Sequence, residues 1–348
     1  MNISKNDLEQ AVSEGVLSES QATLLWERLA RKQEDKPRFN GVSVAYYFGA
    51  LIVISAMTWF MTAAWESFGG WGIFLIALVY GVTFALMGRY LWFKQKLSVP
   101  GGLLFTLAVC MTPLVVYGFQ RATGLWPQGD PGNYENYYVW VKGSWLPIEL
   151  GTVAAALITL KFVRFPFLLA PIAFTLWYMS MDLTPLLFGK TEYSWDERLW
   201  VSLIFGALML LGAYLIDHKT SRDYAFWLYL FGAFAFWTGL GLLTNGNALQ
   251  EFFFLLVNLV FMVLSVLLQR RLLVVFGSIG VFAYLSQLAY DTFAGSILFP
   301  FVLSAIGLSI IFLGVAYQRN RARLEATLLN TLPGGLKRLL PVHRRDRE

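Results

Sequence analysis

The chain has 348 residues, of which 57% are hydrophobic, 17% aromatic and 14% charged, with a formal net charge of +5. A soluble domain is about 45–50% apolar and about a quarter charged, so this composition excludes a soluble enzyme, a disordered chain and a secreted disulfide scaffold. Recurrent apolar stretches of about 20 residues define an all-α, polytopic helical membrane protein.

Residues 1–40 are polar and carry no secretory signal; they are expected to form a cytoplasmic helical hairpin. Ser4 with Asp7 and Ser18 with Gln21 have capping-box spacing, and Gly15 is placed to stop the first helix. Leu8, Ala11 and Val12 on one helix are expected to face Leu24, Leu25 and Leu29 on the other.

Residues 41–318 form the expected transmembrane domain, with ten apolar segments. These are Val42–Ala64, Trp71–Trp92, Gly101–Gln120, Leu146–Val163, Phe165–Met181, Leu199–Ile216, Tyr224–Thr244, Leu249–Gln269, Leu272–Tyr290 and Ser296–Gln318. The fifth is the shortest, and Pro166 and Pro171 interrupt its first half, so a re-entrant form is the alternative there. With both termini inside, all but four of the 27 Lys and Arg residues fall on inner segments. The four outer ones are Arg121, Lys142, Lys190 and Arg198, a division that follows the positive-inside rule in every inner loop. Trp59, Trp65, Trp71, Trp92, Trp126, Trp145, Trp195 and Trp200 lie near segment ends and read as an aromatic belt at the headgroup level. The longest outer loop, 121–145, is rich in Tyr and Trp and is expected to lie on the headgroups, the alternative being a cap over the outer mouth. Residues 319–348 form a basic cytoplasmic tail, with a short amphipathic helix expected over Arg319–Asn330 before Pro333-Gly334-Gly335. No internal repeat is supported.

The N-terminal pattern is Leu8-x2-Ala11-Val12-x2-Gly15-Val16-Leu17-Ser18-x2-Gln21-Ala22, followed by Tyr47-Phe48-Gly49-Ala50-Leu51 and Ala63-Ala64-Trp65. Over residues 4–120 this resembles the prokaryotic membrane proteins of domain-of-unknown-function family 2157, which open with such a hairpin before a run of spans. Ala64 stands where family members often have Asn before the Trp, so no role of that Asn carries over. The resemblance implies a multi-pass protein of the bacterial inner membrane and supplies no catalytic residue.

Catalytic and cofactor signatures are missing. Cys110 has no second cysteine to pair with, and His218 and His343 lie outside the apolar segments, so no disulfide, cysteine metal site or intramembrane histidine chemistry is expected. No phosphate-binding glycine loop is present, and neither a cofactor nor a nucleic-acid partner is expected. The acidic residues gather at the expected outer ends: Glu149 and Glu251 begin helices, Asp182 and Asp291 follow them, and Asp196 and Glu197 precede the sixth segment. Helix-dipole stabilisation explains Glu149 and Glu251; the alternative is a shared outer vestibule of Glu149, Asp182, Asp196, Glu197 and Glu251 that gathers cations. Asn258 and Gln287 lie within apolar segments, either as interhelical hydrogen-bond formers or as substrate contacts. Pro113, Pro171 and Pro300 are expected to kink their helices, and Gly206, Gly212, Gly232, Gly239 and Gly241 to allow close helix contact. Two functions fit these features. One is a membrane protein that carries or senses a small or lipidic molecule. The other is a structural or regulatory protein that engages a cytoplasmic protein partner through its N-terminal hairpin.

Overall fold

In hydrocarbon every backbone N–H and C=O must be satisfied within the protein, and a helix achieves this one segment at a time. The computed structural model describes residues 8, 11–34, 41–64, 68–126, 145–188, 195–220, 223–244, 247–293, 296–305, 307–309, 311, 312, 315, 319 and 320, and among these there is no strand. They fall into two units, Met1–Ile52 and Val53–Glu348.

In the first unit, residues 11–13 end a helix at Gly15, whose φ of 72° is costly for any residue bearing a Cβ. Val16 N–H donates to Ala11 O and Gly15 N–H to Val12 O, each at 3.0 Å, which satisfies carbonyls that the helix end would orphan. Ser18 and Gln21 then form a reciprocal cap: Ser18 N–H donates to Gln21 Oε1 at 3.0 Å and Gln21 N–H to Ser18 Oγ at 3.3 Å. Helix α1 follows (Glu19–Glu34). Leu8 and Ala22 are buried, whereas Leu24 and Leu25 are exposed, contrary to the expected pairing. For Leu24 the reason is helical phase: it lies about 200° around the helix from Ala22 and so on the far face, whereas Leu25 lies at the edge of the Ala22 face and is only partly uncovered. The Ser4–Asp7 cap and the side chain of Leu29 lie outside the described residues.

Helix α2 spans Gly41–Ala64. In the second unit, α3 (Gly69–Arg89) runs into a single π turn, Tyr90–Lys94. Helices α4 (Ser98–Cys110) and α5 (Thr112–Ala122) form one 25-residue segment broken at Met111. Pro113 has no N–H for the carbonyl one turn back, so the helix is interrupted there, as expected. Helix α6 is Leu146–Phe162, and a 3-10 turn at Pro166–Leu168 leads into α7, Leu169–Phe188. Pro171 sits in the first turn of α7, where its missing N–H would have had no partner anyway, so it opens a continuous 20-residue helix instead of kinking one. Pro300 likewise stands in the first turn of the helical stretch beginning at residue 299. The remaining helices are α8 (Trp195–Lys219), α9 (Phe226–Leu242), α10 (Ala248–Leu268) and α11 (Arg271–Phe293).

Five described helical segments are long and apolar enough to cross a membrane: Gly69–Lys94, Ser98–Ala122, Trp195–Lys219, Leu249–Leu268 and Arg271–Tyr290. Shorter apolar helices cover Val44–Met57, Pro166–Ser180 and Phe226–Leu242. The loop over 127–144 and the tail from 321 lie outside the described residues.

Helix α9 organises one half of the second unit because it presents three chemically different faces. Gly232, Ala235 and Gly239 face α8. A Cβ on Gly239 would stand 2.8 Å from Leu199 O, one on Gly232 2.9 Å from Met209 Cβ, and one on Gly206 of α8 would overlap the Phe236 backbone nitrogen. Ser202 Oγ donates to Ala235 O across this contact at 3.0 Å. Towards α7 the helix turns aromatic: Phe231 packs on Phe174 with ring centroids 5.7 Å apart, and Phe234 on Trp177 at 5.6 Å. Its third face, with Phe236 and Trp237, meets α10 and α11 at Phe261, Phe254 and Phe276. In the other half, α3 approaches α5 as closely, since a Cβ on Gly118 would lie 2.5 Å from Phe74 N. Ile73, Ala77, Met111, Leu114, Tyr117 and Ile148 form the core that joins α3, α5 and α6.

Gly212 and Gly241 make no comparably tight approach: a Cβ at Gly212 meets nothing within 4 Å, and one at Gly241 meets only the Phe254 ring edge at 3.3 Å. Gly206→Ala is therefore expected to cost about 1–3 kcal/mol through forced separation of α8 and α9. Gly212→Ala should leave the melting temperature of the purified protein unchanged, and thermal unfolding in one detergent compares the two variants directly.

Candidate functional site

The side chains that carry polar chemistry in the second unit fall at two opposite ends of the α9–α10–α11 group. One end is set by the connection between α10 and α11. Gln269 adopts a left-handed conformation (φ 54°), Arg270 N–H donates to Ser265 O at 3.1 Å, and Ser265 Oγ donates to Arg270 O at 2.9 Å. This tight reversal directs Arg270 back against α8. Its Nε donates to Asp217 Oδ2 at 3.0 Å, its Nη2 bonds the other oxygen of Asp217, and its Nη1 bonds Asp223 Oδ1. The guanidinium also lies 5.7 Å from the Tyr229 ring centroid. Asp217 is 1% exposed, Arg270 15% and Asp223 58%. Burial opposes the Arg270 charge, but the hydrogen bonds and negative charges of Asp217 and Asp223 outweigh it and hold the guanidinium protonated. Sequence reading missed this cluster, because Arg270 counted only as an orienting inner charge. The available signal was two aspartates, 217 and 223, flanking segment ends otherwise populated by Lys and Arg.

Midway along the helices, Asn258 is 1% exposed and belongs to a packed junction. Its Oδ1 accepts from Trp237 Nε1 at 3.0 Å, and its Nδ2 donates to Phe254 O at 2.8 Å. The side chain lies directly over Gly280 of α11, where a Cβ would overlap it. One amide thus ties α9 and α10 together while α11 approaches closely enough to cover it.

At the far end, α9, α10 and α11 line an open groove of about 450 Å³. Trp237, Phe254 and Tyr284 supply its rings, Glu251 its carboxylate, Gln287 an amide and Thr238 a hydroxyl. Glu251 is placed by the start of α10: Asn247 Oδ1 accepts from Leu249 N–H at 3.0 Å, and Glu251 N–H donates to Asn247 O at 3.0 Å. Its side chain therefore stands in the first turn of α10, at the positive end of the helix dipole.

Of the residues singled out from sequence, Glu251 and Gln287 thus share a cavity, with Asn258 behind its wall. Glu149 is 3% exposed in the first turn of α6 and belongs to a different neighbourhood. Beside it, Tyr117, Trp126, Trp145 and Tyr178 pack in a chain of rings with successive centroids 4.9, 6.2 and 5.9 Å apart. Trp126 and Trp145 are drawn into this packing, as Trp92 is drawn onto Phe165, whereas Trp59, Trp71, Trp195 and Trp200 are exposed as belt residues should be. Asp196 and Glu197 occupy the first turn of α8, exposed and half-buried respectively. Helix α7 runs on to Phe188, so Asp182 lies within it and not after its end; Asp291 likewise lies within α11. The side chains of Asp182 and Asp291 are outside the described residues. No cluster of three or more metal-ligating side chains occurs among the described residues.

These features define a helical integral membrane protein. Residues 9–120 match the model of the DUF2157 family, described as a predicted membrane protein, in agreement with the resemblance carried by the hairpin and first spans. No curated protein and no solved structure matches the chain.

Asp217→Asn leaves Arg270 without its buried counter-charge and is expected to cost about 3–5 kcal/mol. Asp223→Asn removes a largely solvated partner and should cost no more than about 1 kcal/mol. Parallel thermal denaturation of the two purified variants checks the contrast.

Proposed function

We propose that the protein is a multi-pass protein of the bacterial inner membrane, with ten spans and both termini cytoplasmic, that binds a small or lipidic molecule in order to carry or sense it. The observation that carries this reading is the groove between α9, α10 and α11. It combines aromatic and aliphatic walls with a small set of polar groups, the composition typical of ligand sites. The distribution of Lys and Arg supports the orientation: it sets the Arg270 end on the cytoplasmic side and opens the groove on the outer side. The continuous helix α7 supports a fifth span that crosses rather than re-enters. In this reading Glu251 is the member of the outer acidic group that meets the ligand, while Asp196 and Glu197 contribute to the surrounding negative field.

The roles of the two intramembrane amides separate on the same geometry. Asn258→Leu removes the Trp237 bond and is expected to lower stability by about 0.6–2 kcal/mol. Gln287→Leu, at the exposed edge of the groove, should leave stability within about 0.5 kcal/mol while reducing ligand retention. Native mass spectrometry of protein released gently from its own membrane measures that retention. A bound molecule kept at full occupancy by Gln287→Leu would remove the groove from the reading.

A second reading, capture of a cytoplasmic protein by the hairpin, is favoured by the exposure of Val16, Leu24 and Leu25 in the first unit. Deleting residues 1–36 should then abolish co-purification of a stoichiometric partner while membrane insertion persists. Unchanged co-purification counts against it.

A further inference from the structure

We infer that the groove selects a cationic amphiphile, a molecule with an ammonium head and an apolar chain. This deepens the ligand-binding reading above and rests on it. Among the described residues the groove is lined by one carboxylate, Glu251, and by no Lys, Arg or His. Among the described residues no cation is paired with that carboxylate.

The aromatic lining reinforces the choice. Trp237 has its only donor, Nε1–H, committed to Asn258 Oδ1, so towards the groove it contributes ring surface and not a hydrogen bond. Thr244 donates its hydroxyl proton to Gly241 O, which removes a second donor. An anionic head would therefore meet a like charge and electron-rich rings. An ammonium group gains the Glu251 carboxylate together with the faces of Trp237 and Tyr284. Leu242, Phe254 and Ala283 provide the apolar wall along which a chain lies. The head chemistry is common to a membrane lipid with an ammonium headgroup and to a free alkylammonium compound.

The test uses full-length protein in nanodiscs of phosphatidylglycerol and three probes of equal chain length: dodecyltrimethylammonium, dodecyl sulfate and dodecyl maltoside. Tryptophan fluorescence quenching and native mass spectrometry report binding. The cationic probe should bind at least about tenfold more tightly than the other two, and Glu251→Gln should abolish that preference. If Glu251→Gln lowers the melting temperature, Tyr284→Leu supplies the second variant and should weaken the cationic probe alone.

Equal binding of all three probes, with Gln287→Leu weakening each, overturns the cation preference and leaves the groove as a general amphiphile site. Failure of every probe to bind overturns both readings. Displacement of the cationic probe by added phosphatidylethanolamine identifies a lipid source, and displacement by hexylammonium alone identifies a soluble one. Displacement by neither overturns recognition of the ammonium head.

Discussion

Close backbone contact between α8 and α9 is the constraint on which the second half of the molecule depends. In lipid there is little hydrophobic gain from bringing two apolar helices together, so association relies on dispersion contacts and a few hydrogen bonds. Gly206, Gly232 and Gly239 permit an approach that any Cβ would prevent, and Ser202 adds a hydrogen bond across it. With α8 fixed on one side, α9 is left with one face for the aromatic residues of α7 and another for α10 and α11. The groove lies on that third face, where Trp237 and Thr238 of α9 meet residues of α10 and α11.

The α10–α11 hairpin is held to this frame at two levels of different chemistry. At the cytoplasmic level proposed above, Arg270 grips Asp217 and Asp223, and the geometry of Gln269 in the turn aims it there. Halfway along, the Asn258 amide accepts the Trp237 indole proton while Gly280 leaves room for the side chain. Beyond Asn258 the same three helices line the groove with Glu251, Tyr284 and Gln287. Polar groups therefore do two jobs in one helix group: within the bundle they fix packing, and at the open end they line a surface a ligand can reach. The committed indole N–H of Trp237 connects the two, since the bond that holds the bundle also decides what that ring offers to the groove.

Much of this was legible in the chain. Apolar length located most of the described helices to within a few residues, because the hydrocarbon thickness sets how many apolar residues a crossing requires, but α7 runs past the expected end at Met181 to Phe188. The Ser18–Gln21 cap and the Gly15 stop were readable because they depend only on residues three to five apart. The family likeness was carried by the same short-range pattern. Prolines 171 and 300 were misread as kinks because their effect depends on where a helix begins, and the apolar run does not mark that point.

Composition and spacing determined a helical membrane protein, its basic and acidic ends, and two amides worth attention. Only the tertiary structure distinguished those amides, burying Asn258 between α9 and α11 and leaving Gln287 at a groove. It alone paired Arg270 with Asp217, 53 residues earlier in the chain, and separated Glu149 from Glu251, which look alike as first-turn acids. The physical reason is that a membrane helix is apolar on every side. Its sequence fixes its length and the chemistry of its ends, while the face it turns to a neighbour is set by which small residues and rings can meet across the gap.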